Sequence, residues 1–373
     1  MKFYCSQQTL SKALNTVSKA VTSRTTIPIL KGILLEATND GKLILSASDL
    51  DLSIEKTIFD VNVEAEGSAV VSSKLFSDII RKLPSEEILI HQQQGQNILI
   101  KTTSSEFTII GLTSEEFPNI MEIDDNNSQK ISIDKEVFKN MIRQTAFSAS
   151  IDESKGIITG VLIELHEDSI NMVALDGFRM AVVKEEMRNE SDTKIIIAAK
   201  ILTEINKIIS EIEGNEDLIF MLNNKKAVIL LENTKIVLRL LDGEFIKYKD
   251  ILPKESKCKV RIAKQELYQS VERASLLSKE GKNNLIKFMI SDQALIVTSR
   301  SEEGAVKEEV VIEHEGEDIE IGFNSKYILD VLKILDEETL LLEMNASIKP
   351  CLIKPASGDR FKYLVLPVRI SSN

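Results

Sequence analysis

The stretch Ser73-Lys74-Leu75-Phe76-Ser77-Asp78-Ile79-Ile80-Arg81-Lys82-Leu83 decides the fold, because the chain repeats its pattern twice. The copies are Ala199-Lys200-Ile201-Leu202-Thr203-Glu204-Ile205-Asn206-Lys207-Ile208-Ile209 and Ser325-Lys326-Tyr327-Ile328-Leu329-Asp330-Val331-Leu332-Lys333-Ile334-Leu335. In each, a small residue precedes Lys, an acid follows that Lys by four positions and a base by seven. Each later copy begins 126 residues after the one before it. A constant period of this kind marks a repeat architecture.

Working outward, other markers keep nearly the same spacing. The helix-like segment around Leu10 recurs around Phe138 and Leu267. Gly32-Ile33-Leu34-Leu35-Glu36 returns as Gly160-Val161-Leu162-Ile163-Glu164, and as Phe288-Met289-Ile290 without the glycine. Ala47-Ser48-Asp49-Leu50 matches Ala174-Leu175-Asp176-Gly177, and Glu116-Phe117-Pro118 matches Glu244-Phe245-Ile246. The short aliphatic runs at 43–45, 88–90, 98–100 and 107–110 are bounded by Gly, Asn and Asp, which predicts strands and turns. Asn39-Asp40-Gly41-Lys42 predicts a hairpin. The fold class is therefore α+β, with three similar domains over 1–126, 127–255 and 256–373, each holding two amphipathic helices and runs of strands.

Composition excludes several functions. Hydrophobic residues are 43% and charged residues 28% of 373, an ordinary balance for a folded chain. No apolar run reaches about 18 residues, so no transmembrane helix and no membrane partner are expected. The N-terminus turns polar too early for a signal peptide. Cys5, Cys258 and Cys351 are isolated, which predicts neither a disulfide framework nor a zinc site and suits the cytoplasm. His91, His166 and His314 have no metal-ligand spacing, and the chain contains no phosphate-binding loop or nucleophile elbow. No metal, cofactor or catalytic residue is expected.

The net charge of −12 argues at face value against nucleic acid. Its distribution argues otherwise. Six candidate helices, at 7–21, 73–83, 134–147, 199–210, 263–278 and 325–335, together carry +7, leaving −19 elsewhere. Residues seven apart share a helix face, as Lys74 and Arg81, Lys200 and Lys207, Lys326 and Lys333, and Lys12 and Lys19 do. Each pair alone reads as a solvated face; their recurrence in three copies reads as a polyanion surface. Acids beyond a Debye length of ~8 Å would be screened from it.

The repeat, Thr26-Ile27-Pro28-Ile29-Leu30, Asp176-Gly177-Phe178-Arg179-Met180-Ala181-Val182, Asp242-Gly243-Glu244-Phe245 and Leu364-Val365-Leu366-Pro367-Val368-Arg369 together resemble the bacterial β sliding clamps, the processivity subunits of DNA polymerase III. The resemblance spans essentially the whole chain. It implies a DNA clamp fold, with helices lining a ring bore and antiparallel sheets outside, closed by a head-to-tail homodimer. It implies a non-enzymatic protein that encircles double-stranded DNA without reading its sequence. Its implied partners are the polymerase catalytic subunit, a clamp loader, and other polymerases and repair proteins bearing short clamp-binding peptides.

Carried over by position, Arg24, Lys74, Arg81, Lys200 and Lys207 are implied DNA-facing residues, with Lys12, Lys19, Lys326 and Lys333 sharing the helical logic. The peptide pocket is implied at Ile158, Leu175, Gly177, Phe178, Arg179, Met180, Ile246, Ile251, Tyr327, Ile348, Leu364, Leu366, Pro367, Val368 and Arg369. Apolar members would take a peptide's Leu or Phe anchors, while Arg179 and Arg369 would stay at the edge for carbonyls. The dimer contact is implied at Ile79, Phe107 and Ile109 against Leu276 and Leu277. Phe178 stands where many members have His or Tyr, Ile246 where Pro is usual, and Glu106 where some have a base. Two other readings are an enzyme using Asp49 and Asp176 for acid–base or Mg²⁺ chemistry, and a protein scaffold that does not bind DNA. An Asp beside Gly is more often a turn residue, which disfavours the first.

Overall fold

The computed structural model describes residues 1–22, 25–120, 129–189, 192–212, 214, 216–223, 225–280 and 282–370. The first third runs β1 (Lys2–Ser6), α1 (Gln7–Val17), β2 (Gly32–Thr38), β3 (Lys42–Ser48), β4 (Leu52–Ile58), β5 (Asn62–Ala65), β6 (Gly67–Ser72), α2 (Ser73–Lys82), β7 (Glu87–Gln92), β8 (Asn97–Lys101) and β9 (Glu106–Ile110). The middle third runs β10 (Gln129–Ile133), α3 (Lys135–Thr145), β11 (Gly160–His166), β12 (Ser169–Leu175), β13 (Arg179–Glu186), β14 (Thr193–Ala198), α4 (Ala199–Glu211), β15 (Leu218–Leu222), β16 (Lys226–Leu231) and β17 (Thr234–Arg239). The last runs β18 (Cys258–Ala263), α5 (Lys264–Ser278), β19 (Leu285–Ser291), β20 (Ala294–Ser301), β21 (Gly304–Val311), β22 (Glu313–Gly316), β23 (Ile319–Asn324), α6 (Ser325–Ile334), β24 (Thr339–Met344), β25 (Cys351–Pro355) and β26 (Phe361–Val365). One order of elements is thus written three times. The first and last copies add a short strand, β5 and β22.

Two compact units result, Met1–Lys135 with Lys207–Leu240, and Glu136–Asn206 with Leu241–Asn373. The first contains a five-stranded sheet, β5-β1-β7-β8-β9, and an eight-stranded one, β10-β15-β16-β17-β4-β3-β2-β6. The second contains a nine-stranded sheet, β14-β11-β12-β13-β26-β25-β24-β18-β22, and a four-stranded one, β21-β20-β19-β23. Every named pairing is antiparallel. The division runs through the middle third because β17 pairs with β4, while β13 pairs with β26. These two seams join strands of neighbouring repeats by backbone hydrogen bonds and remove edges that would otherwise be open.

The helices follow their apolar stripes. On α2, Ser73, Phe76 and Ile80 are buried, at the three-to-four spacing that selects one face, while Lys74 and Arg81 are exposed. Leu83 is extended and ends α2, as expected of a residue before proline. Leu10, Phe138 and Leu267 are fully buried at matching places in α1, α3 and α5. The small residue that opens the first and third quoted motifs has a packing reason. Ser18 Oγ is 3.5 Å from Ser73 Oγ where α1 gives way to a 3-10 turn, and Ser278 Oγ is 2.8 Å from Ser325 Oγ where α5 meets α6. A larger side chain would separate the helices there.

The predicted hairpin joins β2 to β3 with Gly41 at φ +77°, and all four predicted strands of the first repeat are present. One alignment shifts. The third copy of the Gly32 strand begins at Leu285, which pairs with Asn324 as Gly32 pairs with Ser72. Gly32 itself is required by a close approach, since a Cβ there would lie 2.4 Å from Val70 Cγ1.

Candidate functional site

The site is built on the turn before β13. Asp176 Oδ1 accepts the backbone N–H groups of Phe178 (2.8 Å) and Arg179 (3.0 Å), and Gly177 takes φ +94°, so the chain reverses and aims Phe178 outward. Asp49 makes the equivalent turn, accepting from Asp51 (3.1 Å) and Leu52 (2.7 Å). Both aspartates are therefore engaged with their own backbone, as the turn reading required.

Arg179 was expected at the rim, open to peptide carbonyls. The structure places it elsewhere: Nε donates to Asp176 Oδ2 (3.0 Å), Nη1 to Asp330 Oδ2 (2.6 Å) and Nη2 to the Phe147 carbonyl (2.8 Å). Its guanidinium lies 4.7 Å from the Tyr327 ring centroid and 5.3 Å from that of Phe147. Phe178 stacks on Tyr327 at 6.3 Å and 24°, with the Lys155 ammonium 5.8 Å from the Phe178 centroid. Ion pairs and cation–π contacts thus tie β13 to α6 and fix an aromatic platform. Burial and the Asp176 charge raise the Tyr327 hydroxyl pKa.

Beside the platform lies an apolar floor that includes Leu162, Leu175, Met180, Ile196, Leu352 and Leu364, with Ile158 packed against it. The C-terminal segment is held there by two backbone bonds, Leu366 N–H to the Phe178 carbonyl (2.9 Å) and Val368 N–H to the Gly322 carbonyl (2.8 Å). Gly322 permits this, because a Cβ would lie 2.7 Å from the Val368 oxygen. Phe178 (54%), Ile246 (41%), Ile251 (41%), Ile348 (74%) and Leu366 (36%) leave much of their apolar surface in water. Among the predicted pocket residues, Ile158, Leu175, Met180 and Leu364 share the floor, and Phe178, Arg179 and Tyr327 share the stack. Gly177 lies in the turn, and Leu366 and Val368 lie in the docked segment. Pro367 is half-buried and Arg369 exposed, and neither they nor Ile246, Ile251 and Ile348 are among the residues packed on the floor. Asp330 and Phe147 were missed, although Asp330 is the recurrent acid of the quoted motif.

Of the predicted cations, Lys74, Arg81, Lys200, Lys207, Lys326, Lys333 and Lys12 are exposed on their helices. Arg81 pairs with Asp78 (2.5 Å), and Lys200 approaches Glu153 (3.4 Å). Lys19 differs: its side chain is 11% exposed and its ammonium bonds Glu211 at 2.7 Å. Arg24 lies outside the described residues. A further signal emerged at the helix starts. Gln7 Nε2 donates to the Ile80 carbonyl (2.8 Å), Lys264 Nζ to that of Leu335 (3.1 Å), and Lys135 Nζ to those of Ile212 (3.1 Å) and Gly214. The first residue of each repeat's first helix thus satisfies carbonyls at the end of its second.

At the predicted dimer contact, β9 and β21 are outermost strands of their sheets. Phe107 and Ile109 share one face of β9, where Ile109 closes the core and Phe107 is 41% exposed; Ile110, on the other face, is 77% exposed. Leu276 on α5 is 65% exposed, and Ile79 and Leu277 are half-buried. Glu106 pairs with Lys101 at 3.0 Å within the same sheet. The three thiols are buried and unpaired, and burial pushes Cys5 and Cys258 up to about 11, so neither is an activated nucleophile.

Family models match three successive stretches: the DNA polymerase III β subunit N-terminal domain at 1–121, its central domain at 132–247 and its C-terminal domain at 249–369. The β sliding clamp of Staphylococcus aureus is 35% identical over 379 residues, covering 99% of both chains. That of Staphylococcus epidermidis is 34% identical over the same length. Among solved structures, the Bacillus subtilis DNA polymerase sliding clamp superposes with a TM-score of 0.95 at 32% identity, covering 100% of both chains. A putative DNA polymerase III β subunit from Eubacterium rectale gives 0.94 at 36% identity, covering 99% of this chain and all of that one. A Pseudomonas aeruginosa sliding clamp bound to griselimycin gives 0.91 at 26% identity, again covering 99% and 100%.

Proposed function

This chain belongs to the DNA polymerase III β-subunit family, the bacterial sliding clamps, and on that premise we propose which of its own residues hold DNA, partner peptides and the second protomer. The protein is a non-catalytic processivity factor. As a ring-shaped homodimer it encircles duplex DNA, tethers the replicative polymerase and docks other replication and repair proteins.

DNA faces Lys74 and Arg81 on α2, Lys200 and Lys207 on α4, and Lys326 and Lys333 on α6, with Lys12 beside them. Their support is the exposure of the same helical pair in all three copies. Phosphate contacts position the duplex without reading bases, and they must stay individually weak for the ring to slide. Lys19, held by Glu211, serves the fold rather than the DNA.

Partner peptides bind at the aromatic platform and apolar floor of the second unit. The observation that carries this reading is the exposure of Phe178, Ile246, Ile251 and Leu366, with Phe245 and Leu252, the chain neighbours of the two isoleucines, packed on the buried floor and Leu366 tied to Phe178. Such a patch fits Leu and Phe anchors. Phe178 offers a ring face where a polar group is usual in the family, so aromatic anchors should gain most from it.

The second protomer would add its β21 edge and α5 face, with Leu276, to the β9 edge with Phe107. This would continue one sheet across the subunit boundary as β17–β4 and β13–β26 do within the chain. We place the domain limits near 126 and 255, in the polar stretches Asp124-Asp125-Asn126-Asn127 and Lys254-Glu255-Ser256-Lys257 between the repeats. A cytoplasmic site of action, with a separate loader opening the ring, completes the proposal. Among the described residues no helix is long and apolar enough to cross a membrane.

The test is topological. The protein loaded on nicked circular DNA should be retained through gel filtration and lost when the circle is linearised. Equal retention on both forms would mean ordinary binding and would sink the encircling role.

A further inference from the structure

Glu164 is two residues beyond Leu162 on β11 and therefore on the same face. Leu162 belongs to the pocket floor. Glu164 is only 2% exposed, yet its Oε2 accepts the Tyr248 hydroxyl at 2.7 Å and its Oε1 meets the Lys194 ammonium of β14 at 2.9 Å. His166 Nε2 stands 3.9 Å away, itself near Asp192, and the Lys249 charge also acts on it. Burial alone would raise this carboxyl; the bonds from Lys194 and Tyr248 outweigh it and hold it below the usual carboxylate range.

Tyr248 is 5% exposed, with its ring in the pocket floor and its hydroxyl on Glu164. It belongs to a segment, 242–252, that contains no strand. Local bonds shape the segment, Tyr248 N–H to Ile246 (2.7 Å) and Ile251 N–H to Tyr248 (3.1 Å). Ile246 and Ile251, the exposed pocket members, flank the tyrosine. We propose that Glu164 is a positioning residue for partner recognition, fixing Tyr248 and through it the place at which Ile246 and Ile251 meet a bound peptide. The inference rests on the pocket assigned above.

The first repeat supplies a comparison. Glu36 occupies the position of Glu164, and Ile120 that of Tyr248. Without hydroxyl or lysine, Glu36 is instead raised by burial and by the neighbouring Glu55 charge. The ionised, doubly bonded carboxylate is thus found in the repeat that carries the pocket, and its counterpart in the first repeat is driven toward the neutral form.

The experiment uses the full-length protein and a labelled synthetic peptide with adjacent Leu and Phe anchors. Tyr248→Phe keeps the ring and removes the hydroxyl, Glu164→Gln removes the charge, and a truncation before Leu366 serves as the pocket control. Losing a hydrogen bond to a charged acceptor lets the segment leave its competent position, so each substitution should weaken the peptide by about tenfold. The double variant should lose little more than either alone, because one interaction is shared. In Tyr248→Phe retention on circular DNA should match the parent, and the melting midpoint should fall only slightly, by the loss of one buried hydrogen bond. Parental peptide affinity in Tyr248→Phe, with binding lost on truncation, would overturn the positioning role and leave the pocket standing. Parental affinity in both would overturn the pocket as well. A tenfold loss accompanied by an equal loss of DNA retention and a much lower midpoint would mean general destabilisation, and would also overturn it.

Discussion

Glu36 and Glu164 hold one position in two repeats, and their surroundings push them in opposite directions. Glu36 binds its proton more tightly in the folded chain, so its ionisation opposes folding as pH rises through the carboxylate range. Glu36→Gln should therefore raise the melting temperature at neutral pH, by about 2 °C, with the gain fading in acid. Glu164 is held below the usual range, so its contribution is present at neutral pH and lost only as acid protonates it. Thermal melts of both single variants across pH would show the two signs, and equal signs would refute the assignment. Such contrasts were not legible in the sequence, where both residues close the same Gly-x-x-x-Glu stretch. Arg179 was misplaced for a related reason. Its three partners come from a turn, a carbonyl and α6, and no spacing rule connects them.

Among the elements, helices were the easiest to foresee. Their apolar stripes are long enough to set the period, and the predicted spans match to within a residue or two, except that α1 ends in a 3-10 turn over Ser18–Ala20. What the stripes could not reveal was which cations had already been committed. Lys135 counted toward the helical positive charge, yet it is 4% exposed and bonds the end of α4's turn. A lysine at a helix start reads as solvated unless the other helix's carbonyls are in view. Lys135→Met should leave those carbonyls without their donor and cost about 1–3 kcal/mol in chemical unfolding. Gln7 already performs this role without charge, so Gln7→Ala should be destabilising in the same direction. An unchanged denaturation midpoint in Lys135→Met would show that the clasp adds nothing.

For the whole molecule, net charge was a poor guide and its distribution a better one. The threefold order was legible because repeats reinforce weak local signals. The seams were not, since strand pairing between repeats depends on register rather than on local pattern. The subunit contact should obey the same sheet logic. Leu276→Asp would place a charge where an apolar face is expected to be covered, and should convert the dimer to monomer at micromolar concentration in sedimentation experiments. Retention on circular DNA should vanish with it. A dimer of parental strength would move the contact elsewhere.

The β13–β26 seam has a consequence for how the polypeptide can be cut. Five residue pairs, from Arg179 with Val365 to Val183 with Phe361, join the middle and last repeats without using the peptide connection near 254–257. That connection is therefore redundant as a mechanical link. A protease nick there should leave both fragments associated, and new termini opened at that point should be tolerated. The ladder of hydrogen bonds, rather than the continuity of the chain, holds β13 to β26 within the second unit.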